Sequence, residues 1–176
     1  MARNVEIKAR IEDVAVLKAA AARIADDGPI EMVQDDTFFR CESGRLKLRT
    51  FSNDLGELIF YRRGNEAGPK ESFYLRSPTS CPEILRNCLS LAYGETGRVR
   101  KHRTLFLVGR TRIHLDVVEN LGQFLELEIV LGANEPIEEG AAEAARMMEV
   151  LGIERSQLIE GAYVDLLPQI GQGDLA

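Results

Sequence analysis

The sequence predicts an α+β fold: an antiparallel, eight-stranded β-barrel with a charged interior, flanked by helices. Three observations carry this. Short segments alternate apolar and polar residues, as half-buried strands do. Turn signals separate them at intervals too short for parallel crossovers. The polar positions of these strands are mostly charged, and the charges are sorted by sign from strand to strand.

The elements follow in order. Residues 3 to 11, RNVEIKARI, alternate and open the fold as a strand. The stretch DVAVLKAAAARIAD reads as a helix. Asp13 can cap it, the alanines favour it, and Val16, Leu17, Ala20 and Ile24 form its apolar stripe. Gly28-Pro29 is expected to stop it. Strands are expected around 33–40, 45–51, 57–63, 70–76, 98–107, 111–118 and 123–131. Ser43-Gly44, Ser52-Asn53-Asp54, Gly64 to Pro69 and Gly109 mark the turns. Ser80-Cys81-Pro82-Glu83 resembles a capping box for a helix ending at Gly94. Asn134-Glu135-Pro136 opens a third helix ending at Gly152. A fourth is expected over 156 to 167. The reading is one domain over 1–170, with a disordered tail at 171–176.

Composition narrows the class. The 176 residues suffice for one sizeable core. No apolar run is long enough for a membrane helix, and MARNVEIKAR lacks the apolar region of a secretory signal. Cys41, Cys81 and Cys88 share no metal-binding spacing and read as small, partly buried, reduced thiols in a cytoplasm. The net charge is −6 but uneven. Residues 40 to 112 hold fifteen Lys and Arg against seven acids, while residues 113 to 176 hold two against thirteen. A basic middle in an acidic chain points to a partner with concentrated negative charge.

The strand faces say where those charges sit. LKLR sets Lys47 and Arg49 on one face. LIFYRR offers Arg62 in phase with Phe60. VRKHR offers Lys101 and Arg103, with His102 opposite. RIHLD aligns Arg112, His114 and Asp116. FLELE aligns Glu126 and Glu128, and NVEIK aligns Glu6 and Lys8. Each strand alone could simply present its charges to water. Solvated faces, however, mix signs to form cross-strand pairs. Here cations dominate the central strands and carboxylates the first and last. A sheet curled around these faces makes a tunnel with carboxylates on one wall and cations on the other. Carboxylates suit a hard divalent cation, Mg²⁺ or Mn²⁺. Arg and Lys suit polyphosphate.

These stretches resemble the CYTH, or triphosphate tunnel metalloenzyme, superfamily. Asn4 to Lys8 is similar to its E-x-E-x-K, and QDDTFF at 34–39 to its Q-x-D-x-Y-F. LKLR is similar to L-R-x-R, VRKHR to V-x-K-x-R, and AYVDLL at 162–167 to its C-terminal S-Y-x-x-L-L. Residues 112 to 128 match D-x-V-x-x-L-G-x-F-x-E-x-E most fully. The resemblance implies a metal-dependent enzyme acting on nucleoside, thiamine or inorganic triphosphate. Hydrolysis is the leading activity, class IV-type adenylate cyclase the alternative, and a non-catalytic polyphosphate-binding module a third. It implies Glu6, Asp116, Glu126 and Glu128 as metal ligands. Lys8, Lys47, Arg49, Arg62, Lys101, Arg103 and Arg112 become phosphate ligands. Lys8 and His114 are the candidates for proton transfer. One departure stands out: Asn4 replaces the first glutamate. The basic middle lacks the paired stacking aromatics or Arg-rich helix of a nucleic-acid binder. The oligomeric state, a homodimer included, stays open.

Overall fold

The computed structural model describes residues 2–64 and 68–167. The chain forms β1 (Ala2–Ile11), α1 (Val14–Ile24), β2 (Asp27–Phe39), β3 (Arg45–Ser52), β4 (Leu55–Arg63) and β5 (Lys70–Thr79). It continues with α2 (Pro82–Tyr93), β6 (Glu95–Val108), β7 (Thr111–Val118), β8 (Gly122–Leu131), α3 (Ile137–Leu151) and the one-turn α4 (Tyr163–Leu166). The eight strands close into a barrel in the order β1-β5-β4-β3-β2-β6-β7-β8, every neighbour antiparallel. The expected tail lies outside the described residues.

The main apolar core is outside the barrel. Val5, Ile7 and Ala9 of β1, Ile113 and Leu115 of β7, and Leu125, Leu127 and Ile129 of β8 are buried together. Leu17 and Ala21 of α1 and Ala144, Met148 and Leu151 of α3 complete this cluster. Strand alternation then turns the intervening residues inward. Gly140 lets α3 approach closely: a Cβ there would lie 2.7 Å from Leu131 Cδ2. Asp13 caps α1 as expected, accepting from the Ala15 amide at 2.8 Å.

Three local expectations are corrected. Pro29 lies within β2, at an irregularity where pairing with β6 skips from Asp27 to Ile30. The capping box at α2 is absent; Cys81 is the N-cap without a side-chain bond, and Pro82 begins the helix. The single helix over 156–167 is instead a 3-10 turn at Arg155–Gln157, an extended piece and then α4. The extended piece pairs Leu158 with Ala9, and the Ile159 amide donates to the Lys8 carbonyl at 3.0 Å. Backbone bonding to β1 thus competes with the helix. Among the thiols, Cys81 and Cys88 are exposed rather than partly buried, and all three are free.

Candidate active site

The barrel encloses a cavity of about 490 Å³. An apolar cluster of Phe38, Val99, Val118, Phe124 and Tyr163 lies toward one end. Tyr163 is the first residue of α4, and its ring packs on Phe124 at 4.8 Å between centroids. The opposite end is lined by Met32, Phe51, Leu105 and Leu107, with Glu57, Arg76 and Arg112 among them. Apolar and charged residues are interleaved there: Leu105 pairs with His114, and Leu107 with Arg112, between β6 and β7.

The acidic wall is built by β1 and β8, which pair Glu6 with Glu128 and Lys8 with Glu126. One oxygen from each of Glu6, Glu126 and Glu128 falls within 4.8 Å of the others, so the three could hold a metal. Beside them Asn4 is 1% exposed and its Oδ1 has no hydrogen-bond partner. An all-oxygen set with an orphaned carbonyl fits a hard cation. Each carboxylate also meets a cation. Glu6 accepts from Arg63, Glu126 lies 3.6 Å from Lys8, and Glu128 lies 3.3 Å from Arg112. Burial would raise the Glu126 carboxyl, but Lys8 and Arg103 overcome that and hold it well below the usual range. Burial likewise opposes Glu128, which the neighbouring His114 draws down to about 2.

The cationic wall lies across the tunnel on β3 and β6. Lys47 and Arg49 both bond to Asp36 at 2.8 Å. Burial, then Arg49, lowers the Lys47 ammonium to about 8. Burial and Arg103 lower Lys101 to about 7. These depressions mark an overcrowded cationic surface, ready to gain from an anion. Lys8 is lowered too, mainly by burial, although Glu126 opposes it. Its Nζ sits 3.9 Å from the Tyr163 ring centroid.

The structure brings together Glu6, Lys8, Lys47, Arg49, Lys101, Arg103, Arg112, His114, Glu126 and Glu128 around one cavity. His114 Nε2 is 3.4 Å from Glu128, and neither ring nitrogen has a hydrogen-bond partner. His102 is exposed, as its parity requires.

Two expected residues are placed elsewhere. Arg62 is exposed and donates to the Ser43 carbonyl at 2.7 Å. Its neighbour Arg63 points inward instead, to Glu6 and to the Gly161 carbonyl at 2.6 Å. The inner residues of β4 are Glu57, Ile59, Tyr61 and Arg63, so Phe60 was the wrong phase marker. Asp116 does not line the cavity. It is fully buried behind it, bound by Arg103 through two 2.7 Å contacts and by the Tyr163 hydroxyl at 2.8 Å. Burial would raise its carboxyl, but Arg103 and Lys101 hold it below the usual range. Its lone pairs are committed to these donors rather than to the acidic cluster.

Three contributors escaped the sequence reading. Asp36 sits in QDDTFF two residues from Gln34, so its inward parity was visible, but not its role of aligning Lys47 and Arg49. Arg63 was obscured by the adjacent Arg62. Tyr163 comes from a distant C-terminal segment; AYVDLL carries the resemblance there, but no role for the tyrosine followed from it.

A sequence profile of the CYTH domain matches residues 2–163. The chain belongs to the CYTH domain family. An adenylate cyclase CyaB of Aeromonas hydrophila is 25% identical over 174 residues, covering 94% of this chain and 89% of that one. Among solved structures, the PH1012 protein of Pyrococcus horikoshii OT3 superposes with a TM-score of 0.82 at 22% identity, covering 94% of this chain and 99% of that one. A Hippeastrum adenylyl cyclase candidate, described as having a dominant triphosphatase activity, gives a TM-score of 0.62 at 17% identity, with 90% and 91% covered. The two structural likenesses establish the fold. No helix among the described residues is long and apolar enough to cross a membrane.

Proposed function

We propose that this CYTH protein is a metal-dependent triphosphatase, taking a triphosphate-bearing small molecule and removing its terminal phosphate. The observation that carries the reading is the enclosure of two opposed walls in one cavity: Glu6, Glu126 and Glu128 against Lys47, Arg49, Lys101 and Arg103. Phosphoryl transfer asks chiefly for positioning and charge neutralisation, and these walls supply both.

Lys47, Arg49, Lys101 and Arg103 hold the phosphate oxygens, with Arg63 and Arg112 at the flanks. Asp36 and Asp116 are positioning residues, because each fixes a guanidinium in a two-point grip. Mg²⁺ or Mn²⁺ held by Glu6, Glu126 and Glu128 supplies neutralisation of charge on the phosphate oxygens. His114, 3.4 Å from Glu128, in its neutral form accepts the proton of the attacking water; Lys8 binds phosphate beside it. The water oxygen forms a bond to the terminal phosphorus as the bridging P–O bond breaks, and the β-phosphate leaves with that electron pair.

Hydrolysis asks less of the site than cyclisation, because water needs no oriented ribose. The cyclase reading keeps one support, the 25% identical relative named adenylate cyclase. It requires the α-phosphorus, not the terminal one, to lie beside Glu126 and His114.

The test is a single incubation of purified protein with Mg²⁺ or Mn²⁺ and ATP, tripolyphosphate or thiamine triphosphate. Phosphate, pyrophosphate and cyclic AMP are assayed together. Phosphate release is the expected result. Pyrophosphate with cyclic AMP would replace triphosphatase with cyclase, and substrate binding without any release would leave a binding module.

A further inference from the structure

We infer that Asn4 ligates the cation through Oδ1 and that its neutrality limits the site to a single divalent ion when triphosphate is bound. The inference rests on the triphosphate reading above and goes beyond it to the stoichiometry and the residue that sets it.

The first observation is local. Asn4 is two residues before Glu6 on the same face of β1, lines the cavity and is almost wholly buried. A buried amide oxygen without a donor costs about 1–3 kcal/mol unless something occupies it. Of the lining residues near it, Glu6 offers no hydrogen, and Ser72, the partner of Asn4 on β5, makes no hydrogen bond to Oδ1. A hard cation satisfies the carbonyl and the carboxylates at once.

The second observation is the charge balance of the lining. Glu6 is matched by Arg63, Glu126 by Lys8, Glu128 by Arg112, Asp36 by Arg49, and Glu57 by Arg76. Arg103 is matched by Asp116 behind the wall. Lys47 and Lys101 remain, sharing acids that already hold a guanidinium. With Lys47 and Lys101 protonated, as bound phosphate would hold them, the lining and Asp116 together carry two positive charges in excess. A fully ionised triphosphate ester brings about four negative charges, one on each inner phosphate and two on the terminal one. One divalent ion cancels the remainder. A second would leave the enclosed site with uncompensated positive charge, which low dielectric makes costly. A carboxylate at position 4 would offset half of that excess and add an anionic ligand.

The test is Mn²⁺ titration of the full chain saturated with a β,γ-methylene triphosphate ester, reading free ion by electron paramagnetic resonance. Wild type is expected to bind one ion per chain, and Asn4→Glu two. Asn4→Leu, similar in volume but without a donor, should keep one ion with roughly tenfold weaker affinity. Asn4→Asp offers a second carboxylate variant should the longer side chain perturb folding. Two ions of similar affinity in wild type, one ion in both carboxylate variants, or unchanged affinity in Asn4→Leu would each overturn the inference. Calorimetry of the ester itself separates the two readings. Failure of wild type to bind it removes the triphosphate reading, and this inference with it. Ester binding with two ions removes this inference alone.

Discussion

Two sets of carboxylates sit in and behind this tunnel, and they differ in what faces them. Asp36 and Asp116, on β2 and β7, are each gripped by a guanidinium at both oxygens. Glu6, Glu126 and Glu128, on β1 and β8, face one another, with the contacts of Glu126 and Glu128 to their cations at 3.3 Å or longer. A clamped acid is part of the architecture: removing it strands a buried cation. A clustered acid repels its neighbours, which offsets part of what its own cation contributes: removing it costs the fold less and deprives a bound cation of a ligand. Counting acids therefore does not count ligands.

The sharpest break of this comparison is Asp116→Asn. It leaves Arg103 charged in the interior with only the 3.4 Å contact to Glu126, at a cost on the order of 3–5 kcal/mol. Denaturant unfolding should show that loss, with a raised KM in the surviving fold and unaltered Mn²⁺ affinity. Weakened Mn²⁺ binding at constant stability would instead return Asp116 to the ligands. Glu126→Gln should shift the weight to turnover. Turnover falls by about a hundredfold, near 2.7 kcal/mol in transition-state terms, while the unfolding midpoint of the apo-protein falls by less than in Asp116→Asn, because its contacts to Lys8 and Arg103 are longer. Arg63→Ala should raise KM by roughly tenfold, as loss of a phosphate contact worth about 1.4 kcal/mol would. Arg62→Ala should change kinetics little, because that side chain faces solvent. A kinetic effect confined to Arg62 would reverse the assignment of β4's inner face.

The smallest effects concern the cationic wall and Tyr163. Tyr163→Phe removes one hydrogen bond to Asp116 and should cost about 1 kcal/mol of stability by denaturant titration. The pH dependence has a definite sign. Lys47 and Lys101 titrate at about 8 and about 7 in the fold, against 10.5 for an ordinary lysine. Above pH 7 the unfolded chain keeps protons the fold has shed, so apo stability should rise with pH toward 10. Tripolyphosphate affinity should fall over pH 7 to 9, because binding needs those ammonium groups charged. A flat affinity profile would show that both lysines stay protonated without the anion.

The degree to which the site was legible follows the regularity of each strand. FLELE, NVEIK and LKLR alternate cleanly, so their inward faces were assigned correctly from one rule. LIFYRR does not alternate: Ile59 and Tyr61 inside are as apolar as Leu58 and Phe60 outside, and two arginines end the run. Parity had no marker there, and Arg62 was chosen where Arg63 turns inward. Asp116 was placed on the right face, yet its environment depends on Arg103 from β6 and Tyr163 from α4. Leu105 and Leu107 escaped notice as lining residues because they occupy the inward phase that Lys101 and Arg103 hold earlier along β6.

By itself the sequence determined that strands would alternate, that apolar faces would turn outward to amphipathic helices, and that charges of opposite sign would share the interior. These are local properties, set by a two-residue period and the cost of leaving apolar surface in water. Only the tertiary structure decided which acids meet cations and which meet one another, and where Asn4 is left without a donor. Those outcomes depend on strand register and on a C-terminal segment returning across the barrel, and contacts between residues over a hundred positions apart leave no mark in any local pattern.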